Sequence, residues 1–156
     1  MIRFHTSSLI LGAALLAASF IHSAKADSWN KKTTVTFSES VEIPGAVLPP
    51  GQYVIKLVAE QSNRHIVQFM NADETHVIDT VVAIPAERLR RTSKTAFTYY
   101  EMPTGQPVAL KMWYYPGDLM GDEFAYPDGR AGEISRLTHE NVPVASLPAS
   151  TSDGGY

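Results

Sequence analysis

From residue 33 onward, apolar and polar residues alternate in short runs, and turn residues separate the runs. Thr33-Thr34-Val35-Thr36-Phe37 is β-branched or aromatic throughout, and Val41-Glu42-Ile43 follows before Pro44-Gly45 breaks the chain. Gln52–Val58 starts after the Pro49-Pro50-Gly51 turn, and His65–Met70 comes next. Asn71–Glu74 predicts a hairpin connection to Thr75–Ile84, with Phe69 opposite His76 and His65 opposite Thr80. Pro85 is expected to end that strand, and Ala86–Thr92 reads as a loop or a single helical turn. Thr95–Tyr100, Ala109–Tyr115 and Glu123–Tyr126 complete the set, with turns at Met102–Pro107 and Pro116-Gly117-Asp118. Seven or eight short strands with turn signals between them predict an all-β fold. The expected architecture is an antiparallel β-sandwich, immunoglobulin-like or transthyretin-like, over residues 27–129. Residues 130–147 predict an extension with a short C-terminal helix at Arg130–His139, and the Ser-, Thr- and Gly-rich stretch 148–156 predicts a disordered tail.

The N-terminus has a different pattern. Arg3 supplies a positive charge, Leu9–Ile21 is an apolar run of 13 residues, and Ala24-Lys25-Ala26 places small residues where a signal peptidase reads. A membrane-spanning helix needs about 20 apolar residues. Residues 1–26 are therefore expected to be a cleavable signal peptide, cut between Ala26 and Asp27, which leaves no transmembrane anchor. The expected location is the periplasm, or the medium and cell surface.

Composition narrows the chemistry. Cleavage would take Arg3 and Lys25 from the 13 basic residues and none of the 16 acidic ones, so the net charge falls from −3 to −5. An acidic surface does not suit nucleic acid, which needs a basic one. The chain has no cysteine, which excludes disulfides, thiol nucleophiles, zinc–thiolate sites and iron–sulfur clusters. No cofactor is expected.

A wider set of residues runs through the chain. It comprises Trp29-Asn30-Lys31-Lys32-Thr33-Thr34 with Phe37, Ile43-Pro44-Gly45, Leu48-Pro49-Pro50-Gly51-Gln52-Tyr53, Asn63-Arg64-His65-Ile66-Val67 and Lys94-Thr95-Ala96-Phe97-Thr98. Tyr115-Pro116-Gly117-Asp118, Gly121, Glu123, Phe124, Tyr126 and Pro127 complete it. Over residues 29–127 this set resembles an uncharacterised family of exported bacterial proteins, found especially in acidobacteria. The resemblance implies export and a β-sandwich, and it implies no activity.

Three groups of residues are candidates for binding. Trp113, Tyr115 and Tyr126 are flat rings that could stack on a sugar if their face is exposed, and core packing is the competing role. Arg88, Arg90, Arg91 and Lys94 form one basic stretch in an acidic chain, suited to an anionic partner or to a solvated loop. Asp118, Asp122, Glu123 and Asp128 gather oxygen donors among glycines, as calcium requires, but without the EF-hand spacing. Of His65, His76 and His139, the first two lie about four positions apart along the strand in the expected register, too far to bind one metal without a partner from elsewhere. No Gly-x-Ser-x-Gly, His-Glu-x-x-His or phosphate loop is present. The sequence thus predicts a non-catalytic envelope protein that binds or assembles with a protein partner. A carbohydrate-binding module around Trp113 and an uncharacterised hydrolase are the alternatives.

Overall fold

The computed structural model describes residues 21–27, 31–61 and 64–145. Arg3, most of the apolar run, Trp29, Asn30, Asn63 and the tail from Pro148 lie outside the described residues. Alternation becomes burial along each strand. In β2 (Lys32–Phe37), which follows β1 (Ile21–Asp27), Thr33, Val35 and Phe37 are buried and the residues between them are half-buried. The short strands β3 (Val41–Ile43) and β4 (Ala46–Leu48) precede β5 (Gly51–Gln61). In β6 (Arg64–Asn71) the buried residues are His65, Val67 and Phe69. Four more strands follow: β7 (Val77–Glu87), β8 (Ala96–Tyr100), β9 (Val108–Tyr114) and β10 (Met120–Phe124). The single helix among the described residues is α1 (Asp128–Thr138). The fold is all-β with a short C-terminal helix, as the pattern predicts. No helix among the described residues is long and apolar enough to cross a membrane.

The strands make one sheet where a sandwich would have two. Its order is β1-β2-β5-β6-β7-β10-β9-β3-β4, and β8 also pairs with β9. Every pairing is antiparallel except β3 with β9. The seam is β10, which pairs with Ala83–Glu87 of β7 on one side and Met112–Tyr114 of β9 on the other, joining two halves that would otherwise be separate sheets. The sheet rolls around its apolar face. Phe37 of β2 meets Phe97 of β8 edge-on at 6.3 Å, and Lys31 lies 3.6 Å from Asp118 beyond β9. One core results, filled by Val35, Ile55, Phe69, Trp113, Phe124 and Tyr126 among others.

Two local expectations change. β7 continues through Pro85 to Glu87. Its pairing with β6 stops at Ala83, so beyond that point it pairs only with β10, and proline is tolerated at such an edge. The β6–β7 connection is longer than the expected hairpin. Asp73 accepts bonds from the Thr75 amide and hydroxyl, Glu74 takes φ 60°, and the register shifts between Phe69 and Met70. Phe69 therefore pairs with Asp79 and His65 with Ala83.

The helix closes one end of the roll. Ala131 and Ile134 are buried. Arg130 grips the nearly buried Glu42 carboxylate with Nε and Nη2, both at 2.6 Å, and Glu133 with Nη1. The buried Tyr126 hydroxyl donates to the Leu110 carbonyl at 2.8 Å and lies 3.2 Å from that of Glu42. Gly121 lets β10 sit close to β9, since a Cβ there would fall 2.4 Å from Cδ1 of Tyr114.

Two substitutions test these joints. Gly121→Ala must displace the Tyr114 ring and should cost about 1–3 kcal/mol. Arg130→Ala removes charge-assisted bonds to a nearly buried carboxylate and should cost about 1.5–3 kcal/mol. Urea unfolding should show both as a lower midpoint with an unchanged slope.

Candidate functional site

The aromatic candidates are core residues. Trp113 is 1% exposed and Tyr126 is 0% exposed, because both face the interior of the roll. Tyr115, just past β9, is half-buried and meets Trp113 edge-on at 6.3 Å. This placement corrects the expected sugar platform, since no flat ring face of Trp113 or Tyr126 reaches solvent.

The basic candidates form a clasp, and they divide in two. Arg88 donates from Nε and Nη2 to the Asp118 carbonyl at 2.9 and 2.7 Å, and from Nη1 to the Thr92 hydroxyl. Its guanidinium also sits 4.8 Å above the Tyr114 ring. Arg91 donates to the Gly117 carbonyl at 2.9 Å. These two arginines fasten the loop after β7 to the β9–β10 turn, where Pro116 and Gly117 (φ 82°) reverse the chain. Arg90 and Lys94 are exposed on that loop.

The acidic candidates do not converge. Asp122 faces the interior, whereas its neighbour Glu123 is on the other face of β10. Asp118 lies on the β9–β10 turn beside Lys31, and Asp128 starts α1 at the opposite end of the roll. Among the described residues no group of three His, Cys, Asp or Glu side chains could hold a metal ion. His76 is exposed, and His139 caps α1 in the left-handed conformation.

The structure instead brings together a polar cluster at the end of the roll away from α1. His65 Nδ1 lies 2.6 Å from Asp122 Oδ1, with the two side chains only 7% and 10% exposed. The shifted register places His65 beside Ala83, whose small side chain lets the imidazole reach across β7 to β10. The other ring nitrogen, Nε2, lies 3.9 Å from Glu60, which also binds Lys31 at 3.2 Å. Burial pushes the Asp122 carboxyl up, and the His65 bond and the Lys31 charge oppose that shift. Burial works against the Lys31 charge, but Glu60, Asp118 and Asp122 outweigh it and raise its pKa. With Asp122 ionised, Nδ1 carries the proton and donates it. Both ring nitrogens then face carboxylates, which is the arrangement of an imidazole that ties strands together. A general base would aim Nε2 at a hydroxyl nucleophile.

A second feature lies on the edge of the sheet. β1 pairs antiparallel with β2 from Asp27 opposite Lys32 to Ile21 opposite Phe37, with a register shift between Ile21 and Ser23. It comprises the end of the expected leader and its cut site. Comparison with protein-family models, with characterised proteins and with solved structures gives no match.

Two stability predictions follow from these contacts. His65→Ala leaves a buried carboxylate alone and should cost about 3–5 kcal/mol, while the His65→Ala, Asp122→Ala double variant should lose less than the two single changes combined. Trp113→Ala should cost about 3–5 kcal/mol as a core truncation. The pH dependence has a definite sign. The native Asp122 carboxyl titrates above its ordinary value of 3.8, so its contribution to stability falls as pH rises from there through the raised value. Asp122→Asn should remove that fall in urea melts taken across the acid range.

Proposed function

We propose that this is an exported, non-catalytic protein of the bacterial envelope that works by binding another protein along its sheet edge. One observation carries the reading: the segment that occupies the β2 edge, Ile21–Asp27, ends on the expected signal-peptidase site. A cut between Ala26 and Asp27 removes all of β1 except Asp27 and leaves the outer N–H and C=O groups of β2 without that partner. An open strand edge is a template for strand addition by another chain. The burial of the Trp113 rings and the tying of Arg88 and Arg91 to loop carbonyls favour this reading over the sugar platform and the basic patch. The two-carboxylate setting of His65 favours it over hydrolysis.

The test is expression of the full chain with its own N-terminus in an exporting bacterial host. The exported fraction should contain a chain whose intact mass begins at Asp27. A photo-crosslinking residue at Thr34 of that chain should give one reproducible adduct with a protein of the envelope. A full-length chain confined to the cytosol would overturn export, and an exported chain with no reproducible adduct would overturn protein binding at this edge.

A further inference from the structure

We infer that the loop between β7 and β8 docks the protein reversibly on an anionic lipid bilayer, with Leu89 entering the interface and Arg90 and Lys94 meeting lipid phosphates. This surface is separate from the β2 edge, and the inference stands apart from the protein partner proposed there.

The composition of the loop is one-sided. Residues 88–94 hold four of the chain's 13 basic residues and no acid, in a chain whose net charge is −3. The clasp uses these cations unequally. Arg88 engages its guanidinium with the Asp118 carbonyl, the Thr92 hydroxyl and the Tyr114 ring, whereas Arg91 commits Nη1 alone, to the Gly117 carbonyl. The Arg90 and Lys94 side chains bond to no described residue, and residues 89–94 are all exposed. Two acids border the loop, Glu87 before it in the chain and Asp118 on the turn it is fastened to, and Lys31 lies 3.6 Å from Asp118.

Leu89 gives the surface its apolar element. It is 101% exposed, while the next large apolar side chain, Val47, is 52% exposed. This exposure is not slack in the chain. The Arg88 amide donates to the Leu119 carbonyl at 2.9 Å and the Gly117 amide to the Thr92 carbonyl at 2.8 Å, so backbone bonds fix the loop on both sides of Leu89. A leucine held in water by a fastened loop keeps its whole apolar surface for something outside the molecule. The Arg88 bond also sets the loop beside Met120, a second exposed apolar side chain.

Charge and apolarity together select the occupant. An anionic polysaccharide matches the cations but offers nothing to a leucine. A bilayer interface supplies both, with phosphates at the level of a snorkelling Arg or Lys and acyl chains just below. The acidic remainder of the chain is repelled by the same surface, which turns the loop toward it. A few cations and one leucine give weak, reversible association.

The absence of cysteine allows labelling at one chosen position. Ser93→Cys in the loop and Gly132→Cys on α1, where an added Cβ meets nothing, each carry a polarity-sensitive fluorophore on protein purified from an exporting host. Vesicles of phosphatidylglycerol alone should shift the dye at position 93 to the blue, and vesicles of phosphatidylcholine alone should not. The dye at position 132 should respond to neither, and raised ionic strength should reverse the shift at position 93. Arg90→Ser with Lys94→Ser should weaken partitioning into phosphatidylglycerol about 25-fold, roughly fivefold per cation, and Arg90→Lys should retain it. Leu89→Ser should weaken it at least about fivefold. All these side chains are exposed, so the urea midpoints should stay unchanged. No response at position 93, an equal response to phosphatidylcholine, or an equal response at position 132 would overturn the proposal. Unchanged binding of the serine variants would overturn the role given to those side chains. A response to soluble alginate equal to that with vesicles would make an acidic polysaccharide the partner and overturn the bilayer.

Discussion

A sheet with one apolar face, in a chain without cysteine, has to bury that face with its own strands. This constraint shapes the rest of the molecule. The roll is possible because β10 stitches β7 to β9, and Gly121 allows that stitch by leaving room for Tyr114. The Phe37–Phe97 contact then brings β2 over β8, and Trp113 and Phe124 fill the space between. A rolled sheet has two ends. One is closed by α1 and the Glu42–Arg130 pair, and the other by Lys31 just before β2 and side chains from β5, β6 and β10 with the β9–β10 turn.

The charges inside the roll act as register markers. Taking Asp122 out of water is costly, and its bond to His65 offsets that cost only when β6, β7 and β10 hold one alignment. A slip of one residue in β10 would turn Asp122 outward and carry Glu123 inward with no partner there. Glu42 plays the same role at the helix end, where its bidentate bond to Arg130 exists only if α1 docks in one orientation. Apolar contacts alone tolerate sliding, and these pairs do not.

The strands were legible because alternation is a local property. β2, β5, β6, β8 and β9 lie where the pattern puts them, and the Pro-Gly turn after Tyr115 has the backbone its sequence implies. What depends on pairing was not legible. Nothing local shows that β10 joins two neighbours, so one sheet reads as two. The longer connection with its Asx turn at Asp73 and the shift between Phe69 and Met70 together moved the β6–β7 register by three residues, and this sets His65 beside Ala83. His65 and Asp122 are 57 residues apart, and the available signal was a polar residue at an inward position: His65 alternates with Val67 and Phe69, and Asp122 with Phe124. Trp113 and Tyr115 could have faced either way, since a strand pattern gives two faces without saying which is wet. In the basic stretch all four cations look alike, and only their carbonyl partners separate Arg88 and Arg91 from Arg90 and Lys94.

The edge of β2 follows from the same closure. A fully closed barrel would have no edge, but this roll meets itself through side chains at Phe37 and Phe97, so backbone groups at the margin need a strand of their own. In the full chain β1 fills that need with a segment whose residues opposite Thr33 and Val35 are both alanine. On its inner side β2 is held by a complete ladder to β5, from Lys32 opposite Lys56 to Phe37 opposite Gly51, so its outer side is where the sheet has a margin.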